Sequence, residues 1–443
     1  MKKKILILNL VGFFLFSVTT LAEEPLVLTL EKSVQLALIK NPQQQAAQER
    51  LKAAQSMVRE AAAQFFPSLN AQGMHTLDEK AMELEFPSLV PGLPPRRVEI
   101  DFTRDYQFSI SLNLPLFTSG RLTSNFKQAQ YNLKATKESV RQTRQETIYN
   151  TKRAFYGYLL AKEFVQVAEE AVVVAQKHYQ KVKALYEVGL ASKFDLLRSE
   201  VQLANLKPQL IRARNNLKIA ELSLKTILGL DLKTPIQIKG ELRYRPFKVD
   251  EEECFRQALQ NRPELLQLNF QKQRTAEMVK LARASGLPTV AVAGNFNYWA
   301  DRFNFKKDTW SNYYSVNLVV TIPLFNGFAT SARVAQSKAV LRELEKTREG
   351  LINMIRFEVS QALLRLKEAE ESLLSQEKNV EQAQESLRIA ELNYAEGLAT
   401  TLDVSSAQAA LSQAKTNYSQ ALYDYVMAQA ALEKAIGVSL GGK

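Results

Sequence analysis

Between positions 106 and 116 apolar and polar residues alternate. Tyr106, Phe108, Ile110, Leu112, Leu114 and Leu116 fall on one parity, and Gln107, Ser109, Ser111 and Asn113 on the other. Positions 314–324 repeat the pattern: Tyr314, Val316, Leu318, Val320, Ile322 and Leu324 alternate with Ser315, Asn317 and Thr321. A period of two predicts strands with one dry and one wet face. About ten residues of this kind suit a tilted membrane strand, apolar side to lipid and polar side to a wet lumen. A soluble sandwich strand alternates as well. Aromatic placement favours the membrane: Tyr106, Tyr298, Trp299, Trp310, Tyr313 and Tyr314 cluster at the loop ends, where an interfacial girdle lies.

The period changes after Pro115-Leu116-Phe117. No Pro and only Gly120 and Gly157 intervene before Gly189. That allows a helix of about 70 residues, roughly 105 Å long. A second such stretch runs from about Thr330 to Glu396. Beyond each, apolar residues recur at spacings of three and four. The series are Leu203, Leu206, Leu210, Ala213, Leu217, Ala220, Leu224 and Leu411, Ala414, Tyr418, Ala421, Tyr425, Ala428, Leu432. Such heptad seams bury against neighbouring helices in coiled-coil fashion. Pro208 lies inside the first seam and is expected to kink or break that helix; Thr416 stands in its place in the second.

These correspondences are an internal duplication. Asn41-Pro42 returns as Arg262-Pro263 and Pro67 as Pro288, at an offset of 221. Pro115-Leu116-Phe117 returns as Pro323-Leu324-Phe325, and Gly189-Leu190-Ala191 with Asp195 returns as Gly397-Leu398-Ala399 with Asp403, at an offset of 208. The first copy therefore carries extra residues around Pro87, Pro91, Pro94 and Pro95, expected to form an exposed loop. Each copy reads helix, strand, loop, strand, very long helix, tight turn, helix. The first helix starts near Thr29 and its equivalent near Asp250, which stands at capping-box spacing from Glu253. The expected organisation is a leader over 1–22, a first repeat over 23–235 and a second over 236–443.

The leader MKKKILILNLVGFFLFSVTTLA has a basic start, an apolar run and a small-residue end before Glu23. This is the layout of a secretory signal peptide, too short in its apolar run to span a bilayer. No Cys stands at the cleavage point, so no lipid attachment is expected there. Composition adds exclusions. One Cys (Cys254) and two His (His75, His178) rule out a Cys/His zinc site. Cys254 reads as a packed residue, His178 as part of a polar helix face, and Glu251-Glu252-Glu253 as a first helical turn. The net charge of +12 is spread along the chain, not gathered into a basic run, so nucleic acid is not an expected partner. There is no phosphate loop and no nucleophile-plus-base arrangement. No enzymatic activity and no cofactor are expected.

Four strands cannot close a membrane barrel, for which about eight is the working minimum, and open edges in lipid are not viable. Helices about 100 Å long are not buried by one protomer either. Closure by identical chains implies a cyclic oligomer.

The duplication, the Asn-Pro near the first helix, Pro-Leu-Phe at each strand-to-helix junction and the hairpin turns resemble TolC-type outer-membrane efflux channels over essentially the whole mature chain. The turns, Tyr186 to Leu196 and Tyr394 to Val404, are the most specific part. The resemblance implies a mixed α and β membrane protein that assembles as a homotrimer. A twelve-stranded barrel in the outer membrane of a two-membrane bacterium continues into a twelve-helix tunnel across the periplasm. It implies a passive exit duct for tripartite efflux or type I secretion, docked to a periplasmic adaptor and an inner-membrane RND or ABC transporter. The other reading of the residues is a surface structural or adhesive coiled-coil protein. The resemblance places adaptor contact on Gly189, Leu190 and Ala191 and on Gly397, Leu398 and Ala399. It pairs Asp195 with Tyr394 as a closed-state latch. A second latch is dropped, because Ala399 and Phe194 stand where the family has Arg and Thr. Asp403 matches one acid of a constriction ring whose second acid is here Ser406.

Overall fold

The computed structural model describes residues 25–77, 82–88, 92, 94–100, 104–246, 250–304, 306 and 309–438. The expected leader, 1–22, lies outside them.

The chain opens on β1 (Leu26–Leu28), α1 (Leu30–Lys40) and α2 (Pro42–Ala63). Thr29 caps α1 by accepting the Lys32 N–H at 3.3 Å. Asn41 ends α1 and starts α2: its Oδ1 accepts the N–H groups of Gln43 and Gln44 at 2.9 and 3.2 Å, and Pro42 fixes the first helical φ. Then come β2 (Ser68–His75), β3 (Met82–Phe86), β4 (Arg96–Ile100) and β5 (Tyr106–Phe117). The first half ends with α3 (Arg121–Glu187) and α4 (Lys193–Leu228). The second half is β6 (Ile236–Ile238), α5 (Glu251–Asn261), α6 (Pro263–Ala284), β7 (Thr289–Ala300), β8 (Ser311–Thr321), α7 (Ala329–Ala395) and α8 (Thr401–Ile436). The four helices measure 11, 22, 67 and 36 residues in each half.

Three local readings need correction. The Pro-rich insertion is more than a loop: β3 and β4 pair as an antiparallel hairpin flanking the prolines, with Glu85 and Arg97 in an ion pair at 2.5 Å. The prolines exclude strand only where they stand. Strand β8 stops at Thr321, two residues before Pro323, whereas β5 passes the equivalent Pro115 and reaches Phe117 over a register shift. Helix α4 runs unbroken through Pro208. That residue is exposed, and α4 stays packed along α3.

The strand order is β2-β5-β7-β8, all antiparallel. Directly opposed residues share a face, and the register sorts the alternation of all four strands. Ile110 lies opposite Ala71 and Phe296, and Phe296 opposite Tyr314; Leu112 lies opposite Leu69 and Gly294, and Gly294 opposite Val316. On the other face Ser111 lies opposite Asn70 and Asn295, and Asn295 opposite Ser315. One face of the sheet is an apolar band; the other carries serines and asparagines across its middle, with Met74 and Trp299 toward one end and Ala291 and Val319 toward the other.

Below the sheet α3 is central: it packs on α2 and α6 near the strands and on α4 and α8 farther down. Helix α7 packs on α5, α6 and α8. Between sheet and helix tips sits a waist. There β1 and β6 pair in parallel, and Leu28, Phe155, Leu159, Leu224 and Leu228 are buried together. A second cluster joins Cys254, Leu265, Ile355, Val359, Tyr425 and Ile436. Cys254 is packed, and burial, then the charges of Asp250, Glu253 and Glu251, push its thiol pKa up. Asp250 caps α5 by accepting the Glu253 N–H at 3.0 Å. The halves fasten their last helices at equivalent carbonyls by different means. Asn41 Nδ2 donates to Ile227 O at 2.9 Å; Arg262, paired with Glu264 and Glu358, donates to Ala435 O at 3.3 Å.

Candidate functional site

At 1.5 Å per residue, helices of 67 residues carry the chain roughly 100 Å from the sheet to two hairpin tips. Each tip is a Schellman turn, in which a left-handed residue lets two orphan carbonyls find donors. Gly189 (φ +77°) donates to Tyr186 O at 3.0 Å, and Leu190 to Leu185 O at 2.8 Å. Gly397 (φ +77°) donates to Tyr394 O at 3.2 Å, and Leu398 to Asn393 O at 2.8 Å. Beside these glycines Leu190 and Leu398 are 77% and 75% exposed. Ala191 and Ala399 are half-buried beneath them.

The return helices start on hydroxyl caps. Ser192 Oγ accepts the Asp195 N–H at 3.1 Å and donates to the Asp195 carboxylate at 2.6 Å. Thr400 and Asp403 form a full capping box: Thr400 Oγ1 accepts the Asp403 N–H, while the Thr400 N–H and hydroxyl both donate to Asp403 Oδ2, at 2.8 and 2.7 Å. The Thr400 hydroxyl, then its N–H, hold the Asp403 carboxyl below its ordinary range. Both S/T-x-x-D signatures stand in the sequence and passed unread there.

Tyr394 is half-buried where the two hairpins meet. Its hydroxyl accepts from Thr401 Oγ1 at 3.5 Å, its ring centroid lies 5.3 Å from that of His178, and Lys181 Nζ stands 5.5 Å from it. Asp195 and Tyr394 thus have separate partners in the single chain, and among the described residues no hydrogen bond joins them. His178 is not on an open polar face. Helix α3 has neighbours on two sides, so a polar residue near its tip falls in the seam between hairpins. His178 Nε2 is buried without a partner, and burial, then the charge of Lys181, depress its pKa.

The second feature is a pair of open sides. Strands β2 and β8 are the sheet's edges, each bonded to one neighbour. The helices on the same two sides expose apolar rows: Val201, Ile211 and Ile219 on α4, and Met354, Phe357 and Leu364 on α7. Other positions of the same two helices are buried, as Leu203 on α4 and Leu366 on α7 are. Among the described residues no helix is long and apolar enough to cross a membrane. The sheet carries the exposed apolar band.

A four-strand sheet with one apolar and one polar face, continuous with two helical hairpins, defines one segment of a membrane-anchored tube. The chain matches the outer membrane efflux protein family over residues 33–230 and again over 254–438, and it belongs to that family. It is 24% identical over 339 residues to the outer membrane efflux protein BepC of Brucella suis, covering 76% of this chain and 73% of that one. It is also 24% identical over 352 residues to the alkaline protease secretion protein AprF of Pseudomonas aeruginosa, covering 76% and 72%. The crystal structure of the outer membrane protein VceC of Vibrio cholerae shares the fold, with a TM-score of 0.74 at 18% identity over 93% of this chain and 96% of that one. The protein is an outer-membrane efflux channel protein, and its family is one of channels.

Proposed function

We propose that the chain is one third of a passive exit duct serving tripartite efflux or type I secretion. The observation that carries this reading is the pair of open sides. The free edge of β2 and the exposed row of α4 lie on one flank, and the free edge of β8 and the exposed row of α7 on the other. Edges facing lipid have to be paired, and a ring of identical chains pairs every β2 with a neighbour's β8. Three chains supply twelve strands, enough to close a barrel with the apolar band outside and the asparagines and serines inside. The repeats 23–235 and 236–443 each give two strands and one hairpin.

The tips Gly189-Leu190-Ala191 and Gly397-Leu398-Ala399 dock a periplasmic adaptor, which links the duct to an inner-membrane transporter of the RND or ABC type. Energy coupling belongs to that partner. Asp403 of each chain lines the constriction, three charges to the ring, and attracts cations weakly. In the closed assembly Asp195 meets Tyr394 across the tips; within one chain Ser192 and Thr401 hold these residues in reserve. Single-channel recording tests the reading. Purified full-length protein in planar bilayers gives discrete, long-lived current steps; folded, inserted protein that passes no current would overturn it.

A further inference from the structure

At the strand ends farthest from the helices, five rings, with Phe108 of β5 beside them, line a cup that the channel reading leaves without a task. His75 ends β2 and stacks on Tyr106 of β5, centroids 4.2 Å apart and planes within 4°. Tyr298 of β7 stacks on Trp310 at 5.0 Å, again within 4°. Phe303, in the connection from β7 to β8, closes the space between them, 5.5 Å from Tyr106 and 6.2 Å from Trp310. The cavity measures about 550 Å³, and Lys306 stands on its wall. Asn304 fastens the connection from both sides. Its Oδ1 accepts the Lys306 N–H at 3.0 Å and its carbonyl accepts the Trp310 indole N–H at 2.5 Å.

The register fixes which way the cup faces. His75 pairs with Tyr106, and Tyr106 with Ala300, two residues along β7 from Tyr298; all lie on the parity of Ile110, Leu112 and Phe296. The cup therefore opens on the apolar band, at its aqueous rim. A girdle explains scattered rings that each touch lipid singly. It does not explain rings from three strands and a loop that stack in pairs around a space of this size, with a cation in the wall and no carboxylate among the described lining residues.

We propose that this cup binds the phosphorylated saccharide headgroup of an outer-leaflet glycolipid. Flat ring faces carry the negative end of the aromatic quadrupole and suit the weakly positive C–H faces of a pyranose. The Lys306 ammonium suits a phosphate. Acyl chains continue down the apolar band below. The site rests on the membrane orientation of the duct, and binding is measured separately from current.

The chain has two tryptophans, so Trp299→Phe leaves Trp310, inside the cup, as the sole fluorescent reporter. The full-length variant in detergent is titrated with an acylated, phosphorylated glucosamine disaccharide, its dephosphorylated form, phosphatidylglycerol and inorganic phosphate. A saturable change in Trp310 emission is expected with the phosphorylated glycolipid, at least tenfold tighter than with the dephosphorylated one. Lys306→Gln abolishes that preference and Lys306→Arg keeps it, while circular dichroism stays unchanged for all variants. An unresponsive Trp310 in folded protein overturns the site. An equal response to phosphatidylglycerol would reduce it to a generic anionic rim, and an equal response to inorganic phosphate would make its ligand a soluble anion; either refutes the proposal.

Discussion

Four glycines with positive φ end the four long helices, and they divide by where they stand. Gly189 and Gly397, at the tips, have nothing within 4 Å of the place a Cβ would take. Gly229 and Gly437, at the waist, are pressed on the carboxyl ends of the short helices. A Cβ on Gly229 would run into the Lys40 carbonyl, with its carbon at 2.8 Å, and one on Gly437 would meet the Asn261 carbonyl at 3.0 Å. One backbone requirement thus appears in two settings. At the waist a glycine is demanded twice, by φ and by contact, and is part of the packed core. At the tips it is demanded by φ alone, and the turn faces open space with an exposed leucine beside it. The waist glycines serve the chain's own packing, and the tip glycines leave free the surface that we propose for adaptor docking.

The largest effect expected is at the waist. Gly229→Ala combines left-handed strain with a backbone clash, together about 2–6 kcal/mol. Assembled protein should be scarce, and it should lose helical circular dichroism at a markedly lower temperature. A variant of normal yield and thermal midpoint would erase the distinction between waist and tip. Gly397→Val should cost about 1–3 kcal/mol from φ strain alone, little beside the burial of the long helices. Assembly and outer-membrane abundance should be normal, while crosslinking to the adaptor and export are lost. Normal export would mean that this tip is not the coupling surface; loss of assembly would make Gly397 a folding residue like Gly229.

Smaller effects probe the tips' internal fastening. Thr400→Ala removes a cap worth about 1 kcal/mol, seen as faster hydrogen exchange confined to the first turn of α8. The carboxylate of the same box sets a pH dependence. The Asp403 pKa is lowered in the folded chain, so its contribution is present above its ordinary value of 3.8 and is lost as pH falls through the lower folded value. Exchange at that turn should rise in that acidic window, and Asp403→Asn should remove the dependence. The smallest change is Tyr394→Phe. It deletes a long hydrogen bond worth at most about 1 kcal/mol and keeps the ring against His178 and Lys181. If Tyr394 also holds Asp195 in the closed assembly, channel conductance should rise; unchanged conductance in folded protein would exclude that latch.

How much of this was legible beforehand differs by length scale. Alternation from Tyr106 to Leu116 placed β5 and its lipid-side parity, because one side chain in two must face each way. The repeat offsets located both tips, because Gly397 returns with Leu398, Ala399 and Asp403 behind it. Contacts between distant segments were not legible. Nothing near His178 announces Tyr394, which approaches it from the other hairpin. Pro208 read locally as a breaker, whereas packing along α3 and an exposed position decide for the helix. Met82–Phe86 and Arg96–Ile100 have strand character, but the four prolines between them dominated the local signal. The aromatic cup needed the register of three strands before its rings could be assigned to one face.

The open sides of the chain make assembly the claim on which the rest depends. Native mass spectrometry of the detergent-extracted, full-length protein measures it directly. The pairing of every β2 with a neighbour's β8 predicts a single dominant species of three chains. A stable monomer or dimer, with helical content intact, would contradict a closed twelve-strand barrel and the duct built on it.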